Sequence, residues 1–288
     1  MMFFLKVMFF TSTSLLFQLI FTEGAWAWGP AIHTVIACRI SDEVSQILPV
    51  IARVIQSYPL EYLYGSLAAD FFVGKGQKNK DGHSHNWETG FRFLNGSRDD
   101  REAAYAYGFF SHLAADVVAH NYFVPKLIHR TSTWKRMGHL YCEAKADYFV
   151  GPLYTRMARE VLSMGELGCD DLLKSAVGKR RKGLKARRHL FTQSVKLADF
   201  LNGSQPIFLV KRGSRYQISH EYLIFMINLS YRLVKDFLTY PDTSPCLTYD
   251  PIGSQNLRLA SRNGILSKLF NIPHPVCRFA VDQELLEL

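Results

Sequence analysis

Apolar residues recur at three- and four-residue intervals almost throughout this chain, and Gly and Pro punctuate long segments rather than short alternating ones. Both observations predict an all-α protein. Hydrophobic residues make up 48% and aromatics 14% of the sequence, which places it among well-packed globular chains rather than disordered ones.

In chain order, the first 27 residues read as a secretory leader. Lys6 is followed by an apolar run through Leu15, Leu16, Phe17, Leu19, Ile20 and Phe21, and then by Ala25-Trp26-Ala27, the small-x-small pattern of a cleavage site. The competing reading is an uncleaved anchor, because the stretch from Val7 to Phe21 is only slightly short of a bilayer span. Cleavage after Ala27 would leave a protein of about 260 residues, secreted or periplasmic, beginning at Trp28.

Beyond the leader the spacing predicts helices over 31–57, 61–71, 101–122, 139–162, 185–201 and 220–240. The segment 74–87 is rich in Gly, Lys, Asn and Asp and reads as a loop, yet it ends in His83-Ser84-His85-Asn86-Trp87, a high density of polar ligand types for a connector. Residues 178–189, GKRRKGLKARRH, form a basic stretch without an acid, read as a solvated linker or helix start, with a phosphate-binding surface as the alternative. We therefore expect one helical domain over 28–240 and a Pro-containing tail over 241–288.

The formal charge of +9 favours anionic lipid or nucleic acid over a cationic substrate. Five cysteines, Cys38, Cys142, Cys169, Cys246 and Cys277, are an odd set without CxxC. Cys246 and Cys277 flank a Pro-rich stretch and can close a loop, while free buried thiols fit the spacing equally well.

Chemistry concentrates in a few motifs. His112, Asp116 and His120 stand at i, i+4 and i+8, so on one helix all three project from a single stripe. Three such groups on an otherwise apolar helix are costly to bury unless a cation binds them. His139 and Glu143 repeat the i, i+4 relation on the next predicted helix. Asp70 follows an apolar helix, and His83 or His85 comes soon after, one a candidate ligand and the other its support. Trp28 and His33 complete the set: cleavage after Ala27 would expose an α-amine and a carbonyl beside an imidazole.

Taken in order, Trp28-Gly29-x-x-x-His33, Asp70, His85, His112-x-x-x-Asp116, His120 and His139-x-x-x-Glu143 resemble the zinc-dependent phospholipase C and S1/P1 nuclease superfamily, secreted all-helical phosphodiesterases with three clustered zinc ions. The stretches GSLAAD, HSHNWETG and SHLAADVVAHNYFVP look most like the bacterial proteins of the zinc-dependent phospholipase C domain. The resemblance implies a single helical-bundle domain of that type. It also implies three Zn2+ sites: Asp70, His85, His112 and Asp116 at one; the Trp28 amine and carbonyl, His33 and the shared Asp116 at the second; His120, His139 and Glu143 at the third. His120 follows Asp116 more closely than in the family pattern, which makes His129 an alternative donor.

A donor set of imidazole and carboxylate with no thiolate suits a hydrolytic cluster more than a closed structural site. The expected activity is phosphodiester hydrolysis of phospholipid head groups at a membrane surface, with Asp70 as general base. A nuclease acting on single-stranded nucleic acid and a non-enzymatic, zinc-stapled envelope protein are the alternatives. Trp87, Tyr107, Tyr122, Phe123 and Tyr148 can wall a lipid or base pocket or simply fill the core. No obligate protein partner is evident.

Overall fold

Proline decides where the first long helical stretch breaks. The spacing predicts one helix over 31–57, but a computed structural model shows α1 at Pro30–Asp42, a 3-10 turn at Val44–Gln46 and α2 at Pro49–Ser57, with α3 at Pro59–Ala68 following directly. Leu48 and Tyr58 both leave the helical region because each precedes a proline, whose ring disfavours α geometry one residue back. The structure describes residues 28–72, 83–131, 146–165, 167, 169–176, 183–203, 218–260 and 279–288. The leader, His139, Glu143, Cys142 and Cys277 lie outside the described residues.

After α3 the chain tightens into a 3-10 turn at Ala69–Phe72. Next comes α4 at Trp87–Asn95, which the spacing does not predict. Its start is set by Asn86, whose side chain accepts a hydrogen bond from Thr89 N at 2.8 Å. α5, at Asp100–Val118, begins with a side-chain cap: Asp99 accepts from Glu102 N at 2.9 Å, while the Glu102 carboxylate reaches one residue further back and accepts from Arg98 N at 2.8 Å. At its other end the helix widens into a π-turn over Ala119–Phe123 before α6 at Val124–Thr131.

The remaining elements are a helical stretch at 146–150, α7 at Pro152–Ser163, α8 at Asp170–Ala176, α9 at Leu184–Gly203, α10 at His220–Thr239 and the short α11 at Gln283–Leu286. Gly151, at φ +96°, separates the 146–150 stretch from α7 in a conformation that L side chains avoid. The all-α expectation holds; no strand occurs among the described residues. None of their helices is long and apolar enough to cross a membrane. Cys38, Cys169 and Cys246 are free thiols, and burial pushes Cys169 and Cys246 up to about 12.

α5 is the axis of the core. Phe109, Phe110, Leu113 and Val117 are fully buried, and the helix packs against α3, α10, α4 and α2. Its crossing with α3 is close because both helices carry glycine there: a Cβ on Gly65 would collide with the Tyr105 carbonyl, and one on Gly108 with the Tyr62 carbonyl. Gly108→Ala should therefore lower stability by about 1–3 kcal/mol, since backbone cannot yield as a flexible side chain can. The measurement is the thermal midpoint, expected to fall by roughly 2–10 °C. A midpoint within one degree of the parent would contradict so tight a crossing.

Residues 241–288, expected as a tail, contribute a 3-10 turn at Pro245–Thr248 and a helical turn at 254–260. They dock on the π-turn: Asn121 donates to Asp250 O at 3.0 Å, Asn256 donates to Asn121 O at 3.2 Å, and Gly253 lies against the His120 carbonyl. Tyr122 and Tyr249 both donate to Asp282 Oδ2 at 2.8 Å.

Candidate metal centre

Five helical or turn elements bring six donor side chains to one point. His33 comes from the first turns of α1, Asp70 from the 3-10 turn after α3, His85 from the turn before α4, His112 and Asp116 from α5, and His120 from the π-turn. All six are buried; His112 is 0% exposed and His85, the most open, 8%.

Asp116 is the hub. Its Oδ1 faces His33 Nε2 at 3.4 Å, while Oδ2 faces His112 Nε2 at 3.2 Å, His120 Nε2 at 3.5 Å and His85 Nε2 at 3.6 Å. Asp70 Oδ1 closes the group at 3.4 Å from His85 Nε2 and 3.8 Å from His112 Nε2. His33 stacks on His112 with ring centroids 3.8 Å apart. Burial alone would lift the Asp116 carboxyl. Its electrostatic interaction with His112, then contacts with His112, His120 and His33, outweigh that and hold it well below the usual carboxylate range.

Local structure fixes which ring nitrogens face inward. The glycine crossing of α3 and α5 brings the Ser66 carbonyl within 2.9 Å of His112 Nδ1. A carbonyl can only accept, so Nδ1 carries the proton and Nε2 presents a lone pair to the cluster. Ser84 Oγ lies 3.1 Å from His85 Nδ1, and His83 Nδ1 accepts from His85 N at 3.0 Å. Between the two candidates of the HSHNW turn, the structure brings His85 to the cluster and gives His83 the supporting position.

These donors fit a cation. His112 Nε2 and His85 Nε2 stand 3.1 Å apart, close to the roughly 3.3 Å that two nitrogens at zinc-ligand distance make across a tetrahedral angle. Ligand atoms of His33, Asp70 and His112 lie within 4.8 Å of one another, as do those of His85, His112 and Asp116. His33 Nε2, Asp70 Oδ2 and Asp116 Oδ1 are buried and make no hydrogen bond among the described residues, a cost that a bound divalent ion would remove.

Of the sequence-predicted donors, the structure thus assembles His33, Asp70, His85, His112, Asp116 and His120. It places His120 on the same Asp116 oxygen as His112 and His85. The side chain of the alternative donor His129 lies outside those described. Trp28 is buried beside the centre's first helix, its indole donating to Ser230 Oγ at 2.9 Å and resting on Phe123 at 4.6 Å between centroids. The supporting groups, the Ser66 carbonyl and Ser84, are not among the predicted residues. Only Ser84, between two histidines, carried a local signal.

A family model described as zinc dependent phospholipase C matches residues 32–184, just over half of the chain. No curated protein and no solved structure matches.

Proposed function

The chain belongs to the zinc-dependent phospholipase C family, a family of zinc-dependent hydrolases, and from that premise we propose that it is a secreted phosphodiesterase that hydrolyses phospholipid head groups. The observation that carries the reading is Asp116, one carboxylate whose two oxygens face different imidazoles, as a ligand shared between neighbouring ions requires. We assign one Zn2+ to Asp70, His85, His112 and Asp116, a second to Trp28, His33 and Asp116, and a third to His120 with His139 and Glu143.

When bound, zinc supplies Lewis acidity towards a phosphodiester and towards water at neutral pH. The chain's own residues do the rest. The Ser66 carbonyl fixes the His112 tautomer that turns a bare Nε2 inward, and Ser84 holds the His85 ring through its Nδ1. Asp70, with Oδ2 buried and without a hydrogen bond among the described residues, accepts the proton of the attacking water. The bond broken is the one between phosphorus and the glycerol oxygen, leaving diacylglycerol and a phosphorylated alcohol.

Lipid is preferred over nucleic acid for two reasons. The family is described by a phospholipase activity. In addition, α9 packs Phe191 on Phe71, next to Asp70, and exposes Leu190, Leu197 and Phe200 beside Lys185 and Lys196, a mixture suited to an anionic bilayer surface. The test is a parallel assay of the zinc-loaded protein on phosphatidylcholine micelles and on denatured DNA, each with and without EDTA. Release of phosphorylated head group that EDTA abolishes is the expected result. Cleavage of DNA alone would overturn the lipid assignment. Melting on chelation with neither substrate turned over would leave a purely structural metal.

A further inference from the structure

We propose that Asp147 is the positioning residue that sets the N-terminal donors, the Trp28 backbone and His33, against Asp116; this rests on the metal reading above. Helix α1 starts without a cap of its own. Its N-cap is Gly29, which has no side chain to offer, although Ser, Thr, Asp or Asn is the usual choice there. The cap arrives instead from far along the chain: Asp147 Oδ2 accepts from Ala31 N and Asp147 Oδ1 from Ile32 N, both at 3.1 Å.

The first-turn donors are then all accounted for. Pro30 has no N–H, Ala31 and Ile32 bond Asp147, and Ile32 N and His33 N also reach Gly29 O at 3.1 and 3.2 Å. A carboxylate at a helix N-terminus is favoured by the helix dipole, which offsets the cost of burying Asp147 to 8% exposure. Gly29 is the other half of the fit, because a Cβ there would collide with the Asp147 carboxylate. The bonded residues lie directly between Trp28 and His33, so the bidentate clamp fixes the axial position and rotation of both.

His33 stands one residue beyond Ile32, a rise of about 1.5 Å. Any slip of the α1 start is passed to the 3.4 Å approach of His33 Nε2 to Asp116 Oδ1 almost undiminished. Metal donors tolerate displacements of only about 0.5 Å. An ordinary cap would stabilise the helix and nothing more. A clamp that combines a side-chain-free N-cap, a distant carboxylate and a metal donor in the next turn has a second readout, the affinity of one ion.

The experiment uses protein beginning at Trp28, titrated with free zinc and followed by elemental analysis, with thermal midpoints in zinc and in EDTA. Asp147→Asn keeps the shape but loses the charge and one acceptor oxygen; Gly29→Ala keeps Asp147 but crowds it out. Each is expected to weaken one ion by about 10–100-fold while the remainder bind as in the parent. The double variant should be no weaker than the worse single one, since both act through one contact. Equal midpoint losses in zinc and in EDTA, with every zinc affinity unchanged, would overturn the proposal and leave Asp147 a simple cap. A parent protein that binds no zinc would overturn the metal reading itself.

Discussion

Replacing Asp116 with asparagine is expected to cost the protein more than any other single substitution at the centre. Asparagine preserves the volume and one acceptor oxygen, so α5 should fold; what goes is the negative charge and the second carboxylate oxygen at the point where the imidazole nitrogens converge. Asp116 is buried to 2% exposure and meets His33, His85, His112 and His120 within 3.6 Å. No other carboxylate among the described residues touches more than two of them. On the proposed assignment, in which Asp116 is a ligand to two ions, its loss should remove several kcal/mol of charge stabilisation, and at about 1.4 kcal/mol per tenfold this is a fall in activity of roughly a thousandfold or more. Asp70→Asn, which touches only His85 and His112, should retain more zinc than Asp116→Asn. Elemental analysis and turnover of the two variants, with circular dichroism to establish folding, make the comparison. A folded Asp116→Asn protein with full zinc and activity within tenfold of the parent would remove Asp116 from the hub.

Much of this centre is legible in the sequence, because its signals are local. The i, i+4 spacing of His112 and Asp116 becomes a shared helix face whatever the tertiary structure, and the apolar periodicity around it marks a buried helix. His120 sat on the same stripe by arithmetic, but the π-turn that carries it had no signature in the spacing. It is held by Asn121, Gly253 and Asn256, two of which come from a segment read as a tail. The split of 31–57 is marked in the sequence by Pro49, although the apolar pattern runs on across it. α4 was missed because nine residues beginning at an Asn cap inside a polar stretch look like a loop. The Ser66 carbonyl that orients His112 could not be read at all, since backbone carbonyls carry no sequence identity and this one reaches the site only through the Gly65–Gly108 crossing. Asp147 was hidden for a similar reason: its partners are two backbone N–H groups more than a hundred residues away.

A chain that keeps even one residue ahead of Trp28 should hold less zinc than one that begins there. An α-amine that has lost its proton offers a lone pair to a metal, whereas an amide nitrogen has given its pair to the neighbouring carbonyl. The structure makes this difference hard to evade. The Trp28 indole is buried, bonded to Ser230 and stacked on Phe123, and α1 begins two residues later on the Asp147 clamp, so the chain cannot shift to present another donor. The amine ordinarily titrates near 7.7–8.0, and only its neutral form binds. Zinc affinity at this site should therefore be fully developed above about pH 9 and fall roughly tenfold per unit below about pH 7. The extended chain, lacking the amine, should not show that step. If the site is loaded at a hundred times its dissociation constant, losing it forfeits about 2.7 kcal/mol of stability, or roughly 5–10 °C in thermal midpoint. Elemental analysis and melting of the two chains, in zinc at pH 8 and again at pH 6.5, read every part of this. Equal zinc content and equal activity in the extended chain would show that the chain start is not a ligand and leave His33 and Asp116 to hold that ion with some other donor.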